Sequence, residues 1–500
     1  MRYLLLILSI IILIVVSSCR KDFNTIPNFG KLEFSKDTVF LDTIFSNIGS
    51  TTYSLKVYNR SNKSITIPEI KLENGIDSKY RLNVDGLSGK HFTDIDLLAN
   101  DSMYVFIETT VDFNTISDPL YTDKLLFDNG NNQQNVDLVT LIQDAYFIFP
   151  SKKNTEIETI IIDGESTDIQ GRFLTDDELN FTDERSYVIY GYATVPSNKT
   201  LTINAGAKIY FHKNSGLIID KKASLKINGT LNKKVTFEGD RLEYRYSKIP
   251  GQWGSIWMRE GSIENEINHT IIRNGTIGLL VEGTETSPTL SIKNSEIYNS
   301  SNYGILGKNT HIKGENIIIG NAGQNSLACT FGGNYTFTHS TFANYWNYSI
   351  RQSPTVLINN HFTSIDDNDE VKTDTKDLTV ANFTNCIIEG NNNVEFILDK
   401  RDETIFNYNI ENSMIRFNDF NNSFKNNKEL NFDDILHYQN IILNGTPNFK
   451  DIILNDFNIG EDSDAINKAK SSAVSEDILG VSRLPNPDIG AYQHITFKDE

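Results

Sequence analysis

The residues best equipped for chemistry gather between positions 351 and 370: Arg351, His361, Asp366, Asp367, Asp369 and Glu370. A guanidinium is a permanent cation, an imidazole titrates near neutrality, and neighbouring carboxylates offer the hard oxygen ligands that calcium takes. Asp366-Asp367-Asn368-Asp369 lacks the glycine and distal glutamate of an EF-hand loop, so calcium is the ion these oxygens would suit without a dedicated motif for it. A solvated acidic loop is the plainer reading, and no other cofactor is expected. Lys400, Arg401 and Asp402 form a second charged group, read as a salt-bridged surface turn. Tyr244, Tyr246, Trp253 and Trp257 could stack on sugar rings, although packing inside the fold accounts for them as well. The histidines His212, His269, His311, His339 and His361 are scattered without metal-ligand spacing. No phosphate loop, G-x-S-x-G elbow or Cys/His nucleophile arrangement is present.

The elements that must position such groups are short and repeated. Apolar-rich triplets end in asparagine at Asn274, Asn299, Asn321, Asn344, Asn391, Asn418 and Asn444, with spacings of 25, 22, 23, 47, 27 and 26 residues. The 47 reads as two periods, with NHFTS between them and Ser364 standing where asparagine otherwise does. Short β-runs at this period, with no helical pattern between them, predict stacked coils. Asparagine tolerates left-handed backbone at a corner, and stacked amides bond from coil to coil. Ile271, Ile297, Ile318, Phe342, Phe362, Ile387, Ile415 and Ile441 are expected to point inward as apolar columns.

Residues 24–147 read differently. Short alternating stretches such as Thr38–Phe45, Tyr53–Tyr58, Ile65–Leu72, 103–110 and 136–142 are separated by turn signals including Asn74-Gly75 and Asp85-Gly86. Eight or nine strands in this length predict a two-sheet sandwich. Residues 148–198 are polar and irregular and read as a linker with short strands.

These residues carry a resemblance. LTINAGAKIYF at 201–211, GLIIDKKASLKINGT at 216–230, Gly251-Gln252-Trp253-Gly254-Ser255-Ile256 and the closing Pro487-Asp488-Ile489-Gly490-Ala491-Tyr492 resemble right-handed parallel β-helix proteins of the pectin-lyase-like class over residues 199–492. Residues 24–147 resemble the immunoglobulin-like modules that precede such repeats in bacterial surface proteins. The implied fold is all-β: an immunoglobulin-like β-sandwich over 24–147, the linker at 148–198, a right-handed parallel β-helix over 199–445 and a closing segment at 446–500. Enzymes of this class that cleave acidic polysaccharides use a Lys, Arg or His base, often with calcium. The resemblance therefore implies Arg351 or His361 as the base or charge-neutralising group, and Asp366, Asp367, Asp369 and Glu370 as calcium ligands.

Arg2 followed by the apolar run 4–16 is an export signal, too short for the roughly 20 residues of a membrane-spanning helix. Val16-Ser17-Ser18-Cys19 resembles a lipobox, which implies a signal peptide ending before a lipidated Cys19 and a place in the cell envelope as an outer-membrane lipoprotein, periplasmic or surface-facing. The remaining cysteines, Cys329 and Cys386, sit in apolar segments and read as small buried hydrophobes. Five hundred residues exceed one ordinary core, and a formal charge of −19 argues against nucleic acid as a partner. The functional expectation is a non-catalytic lipoprotein held to the membrane by its lipid, binding a polysaccharide or a surface protein along the β-helix face. The alternative expectation is a polysaccharide lyase or glycoside hydrolase acting on acidic glycans.

Overall fold

The computed structural model describes residues 24–153, 156–284, 288–365, 370–401 and 404–497. Cys19, Asp366, Asp367, Asp369 and Asp402 lie outside them. The chain divides into two compact units between Asp144 and Ala145. Both are built from strands, so the all-β class read from the sequence is the one observed.

The first unit is a two-sheet sandwich. Thr38–Phe45, Tyr53–Tyr58 and Ile65–Leu72 are strands with the bounds their patterning predicts. One sheet joins Ile65–Leu72 to Leu120–Phe127 and Gln134–Gln143, and the other joins Tyr53–Tyr58 to Ser102–Thr109 and Tyr80–Val84. Period-two alternation decides which side chains meet: Val136, Leu138 and Ile142 of one strand are buried, as are Val105 and Ile107 of another.

In the second unit each strand from Glu165–Phe173 to Asn265–Asn268 pairs in parallel with the strand three positions later, and beyond them, where neighbouring strands fuse, the rung-to-rung pairing stays parallel. Three strands therefore make one rung, and the pairing stacks inward side chains into columns. One column runs Tyr187, Ile209, Phe237, Ile272, Ile297, Ile319, Phe342, Ile388 and Ile415. A second runs from Ala193 through Leu217, Ile256, Leu279, Ile305, Leu327 and Val356 to Phe396. All belong to one continuous core. Each fully buried aliphatic or aromatic side chain contributes about 1.5–3 kcal/mol.

Three features differ from the sequence reading. Residues 148–198 hold strands of the same coil: Ala145–Ile148 pairs with Ser186–Ile189, and Glu165–Phe173 pairs with Tyr192–Val195. Inward register is displaced by one at Ile271, Ile318 and Ile387, whose neighbours Ile272, Ile319 and Ile388 face the core instead. Ile318 and Ile387 point outward and are still buried, because the segment after residue 446 covers them: Phe457, Ile478 and Ala491 pack on Ile318, and Ile459, Ala465 and Ile489 on Ile387. With both sides of the strand apolar, alternation cannot fix the register. Finally, the 47-residue gap holds one rung and an insertion, since Phe342 pairs directly with Ile388. His361–Ile365 pairs antiparallel with Val371–Thr375 as a hairpin, and Phe362, expected inward, is 56% exposed.

The asparagine ladder is doubled. Asn274, Asn299, Asn321 and Asn444 adopt left-handed backbone as expected, whereas Asn344, Asn391 and Asn418 do not. A second left-handed column is formed by His269, Asn294, Asn316, His339, Asn385, Asn412 and Asn440, with φ between 44 and 58°. Amides link neighbours along it: Asn316 donates to Asn294 at 3.1 Å and Asn385 to His339 Nε2 at 2.9 Å. Cys329 and Cys386 are buried and unpaired in disulfides, and burial pushes the Cys386 thiol up to about 12.

Candidate functional site

Two histidine-centred groups and one arginine decide where chemistry can occur. Arg351 is ruled out by its surroundings. Its guanidinium meets Glu395 at 2.5 Å with side-chain exposures of 1% and 0%, and it also donates to the Asn344 carbonyl and to Asn391 Oδ1. Glu395 in turn accepts from the amide and hydroxyl of Thr355 at 2.8 Å. A substrate cannot reach a cation sealed in this way, so Arg351 is a structural staple and the sequence expectation of a base or neutralising group there is corrected.

His361 is placed differently. Strand Val356–Asn359 lies beside Phe396–Asp399 of the next rung, with Asn359 opposite Asp399. Buried Asn360 then fixes the turn, donating to the Arg401 carbonyl at 2.7 Å and accepting from the Arg401 amide at 2.8 Å. The hairpin starts at His361, whose Nε2 lies 3.0 Å from Asp399 Oδ2, and Arg401 Nε lies 3.6 Å from the other oxygen of the same carboxylate. Asp399 thus orients an imidazole and anchors a guanidinium that is 61% exposed. With Nε2 engaged, Nδ1 is the ring atom left for proton transfer.

Against this group lies a backbone outlier. Phe331 has φ of 60°, followed by Gly332 at 73° and Gly333 at 119°. A bulky residue in the left-handed region costs about 1–2 kcal/mol and persists only where its surroundings hold it. Here the Phe331 amide donates to Asn359 Oδ1 at 2.9 Å, its ring meets Phe362 edge-on at 6.3 Å, and Lys376 Nζ sits 5.3 Å from its centroid. The bulge, the hairpin and the turn at 399–401 therefore bring together one imidazole, two cations and an exposed phenyl ring.

The other sequence candidates do not join them. Of the expected calcium ligands only Glu370 is described; it is exposed, and Asp366, Asp367 and Asp369 are outside the described residues. Trp253 is buried against Phe211 at 4.5 Å, and Trp257 donates to Glu282 at 2.7 Å. Tyr244 is exposed, while Tyr246 lies beneath Arg241 and Arg245. These four aromatics form no shared shelf.

Asp399, Lys376 and Phe331 were not singled out from the sequence, because only rung register places them beside His361. The same holds for a second imidazole–carboxylate pair, His212 Nδ1 to Asp240 Oδ2 at 2.7 Å. Phe149, Tyr190 and His212 occupy equivalent places in successive rungs, with ring centroids 4.7 and 4.4 Å apart. Their faces are spent on one another and burial raises the Asp240 carboxyl, so this column is a packing ladder.

No family model matches the chain, and no curated protein does. Seventeen chains among solved structures match. One is described as a family 123 glycoside hydrolase from Clostridium perfringens, studied for glycolipid glycan hydrolysis; it is 8% identical over 24% of this chain and 30% of its own, with a TM-score of 0.17. Another is the catalytic domain of a family 87 α-1,3-glucanase in complex with nigerose, 11% identical over 72% of this chain and 82% of its own, with a TM-score of 0.15. Under a third of the first neighbour's length is spanned. Both are described as glycan-cleaving enzymes, a description that belongs to them; the expected non-catalytic role gives way to its alternative on the geometry around His361 and Asp399. At these TM-scores neither likeness supplies a mechanism.

Proposed function

We propose that the chain acts on an acidic polysaccharide as a lyase of the parallel β-helix class, with His361 as its base. The observation that carries this reading is the group His361, Asp399 and Arg401, in which one carboxylate holds an imidazole and an exposed cation side by side. Hydrolysis by the usual route needs two carboxyl groups flanking the bond, roughly 5–9.5 Å apart. The group around His361 offers an imidazole and an exposed cation instead, which is the equipment of elimination.

In that reaction His361 Nδ1 removes the proton from the carbon next to the uronate carboxylate. The freed electron pair becomes a carbon–carbon double bond as the glycosidic C–O bond breaks, and the departing oxygen takes a proton from water. Arg401 and Lys376 neutralise the substrate carboxylate, which makes the abstracted proton more acidic. Phe362 offers a sugar its apolar face. Asp399 stabilises the imidazolium that forms. No step is routed through a metal.

The export segment supports a second part of the reading: processing before Cys19, lipidation there, and residence in the cell envelope with the membrane as a partner. Cys19→Ser is expected to abolish incorporation of labelled palmitate and release the protein from membranes.

The test is an assay of the full chain in detergent against polygalacturonate and alginate, with and without added calcium, reading unsaturated ends by ultraviolet absorbance and reducing ends separately. Unsaturated product from the wild type, with a loss of about 10²–10⁴-fold in His361→Gln at unchanged folding, is the expected result. Full activity in His361→Gln, or reducing ends without unsaturation, overturns it.

A further inference from the structure

The sandwich carries a feature its fold does not need. In a two-sheet sandwich the outer face of each sheet is solvated, and its outward positions are ordinarily polar. On the sheet containing Tyr53–Tyr58, Ser102–Thr109 and Tyr80–Val84, the outward residues include Tyr58, Tyr104 and Phe106. Tyr104 is 49% and Phe106 42% exposed, with ring centroids 6.0 Å apart and planes within 15°. Large apolar surface left open in a strip calls for an explanation.

Polar groups are arranged around the strip. Lys56 Nζ lies 5.2 Å from the Tyr58 centroid and 5.4 Å from that of Tyr104. Beyond Phe106 a cavity of about 390 Å³ is lined by Phe106, Arg81, Asn83, Glu108 and Lys90 among others. Arg81 reaches Glu108 at 3.6 Å, and Glu108 also accepts from Thr52 at 2.5 Å, so the fork of donors and acceptors is held at a fixed place. Asn83 and Ser88 bond across the far wall at 3.3 Å.

The geometry points to a glycan-binding platform on this sheet, whose occupant is an acidic polysaccharide: sugar rings lie on Tyr104 and Phe106, with a uronate carboxylate at Lys56. The cavity has the size of a small-ligand pocket. The apolar strip is one ring wide and interrupted by charges, unlike the desolvated centre of a protein interface. Charge selects the acidic class. Lys56, Arg60, Arg81 and Lys90 surround the strip against Glu33 and Glu108, in a chain whose net charge is −19. Arg60 and Arg81 are paired with those two carboxylates, and Lys90 donates to the carbonyls of Ile76 and Ser78, which leaves Lys56 above the rings as the cation a ligand would meet. The platform would give the lyase a hold on its polymer separate from the place of cleavage. The platform and its acidic preference rest on the sheet, whereas the identity of that polymer with the substrate rests on the proposed function.

Affinity electrophoresis of the full chain in detergent, through gels containing polygalacturonate, alginate or neutral dextran, tests this. Retardation by an acidic polymer is expected for the wild type and for His361→Gln, which keeps binding distinct from turnover. Tyr104→Ala with Phe106→Ala should weaken retention at least tenfold, and Lys56→Gln should erase the preference for acidic over neutral polymer. All three sites are solvent-facing, and circular dichroism verifies that the variants fold. Absence of retardation by both acidic polymers, retention undiminished in the double variant, or equal retention by dextran would each overturn the proposal, whatever the lyase assay shows.

Discussion

Arg351 and its partner Glu395 form an ion pair in a place that water does not reach. Removing one member of a buried pair strands the other, at a cost of about 3–5 kcal/mol, whereas well-packed apolar replacement of both can be neutral. Arg351→Ala is therefore expected to lower the melting temperature sharply while leaving turnover per folded molecule unchanged. Calorimetry paired with an active-fraction assay separates the two. His339 offers a pH test. It is buried, and burial, with the nearby charge of Arg483, holds its imidazole down at about 3. The unfolded chain takes up a proton near the ordinary value of about 6.5, the folded chain only near 3, so stability falls as pH drops through that window, by roughly 1.4 kcal/mol per pH unit at the steepest. His339→Asn keeps a residue suited to the left-handed backbone and is expected to remove this component of acid sensitivity in denaturant titrations at pH 7 and pH 4. Residue types named both Arg351 and His361 as candidates. What separates them is burial, which depends on contacts across rungs and leaves no mark in the local sequence.

At the scale of elements, the period of the coil was legible because each rung repeats the same apolar triplet and corner. The insertion after Asn359 was not, since NHFTS has the composition of a rung and differs only in pairing with residues 371–375. Register failed at Ile318 and Ile387 for a related reason: a strand covered on both sides has no polar face to declare itself. The second left-handed column went unread because two of its positions are histidines. Asn385 shows what such a position carries. Its amide donates to His339 and to the Lys470 carbonyl, while its oxygen accepts from the Lys470 amide. Asn385→Ala loses these bonds and places alanine at φ of 58°, for a combined cost of about 3 kcal/mol. Faster proteolysis around Lys470, ahead of any loss in the coil, is the expected signature.

For the molecule as a whole, a stacked coil behaves as a row of neighbours, each rung stabilised by the next. The segment after residue 446 breaks that rule. Asn455 reaches Asn299 and Asn321, Arg483 reaches Asn316, and Ala491 reaches Thr341, so widely separated rungs share one partner. A chain truncated at residue 445 is expected to bare Tyr298, Ile318, Ile387 and Met414, and to show raised binding of an apolar dye and concentration-dependent aggregation. Intact fluorescence and solubility after truncation would show that the segment is dispensable.

That arrangement also sets a clock. Rungs from Tyr298 onward carry an apolar stripe whose cover, Phe457 to Ala491, follows them in chain order. For a chain exported as proposed, the interval before Ile478 covers the stripe is set by its passage across the membrane and not by synthesis alone. For that interval the nascent coil is a sticky surface in need of a chaperone or of seclusion, and a premature stop codon near the end of the message would do more harm than the few residues it removes.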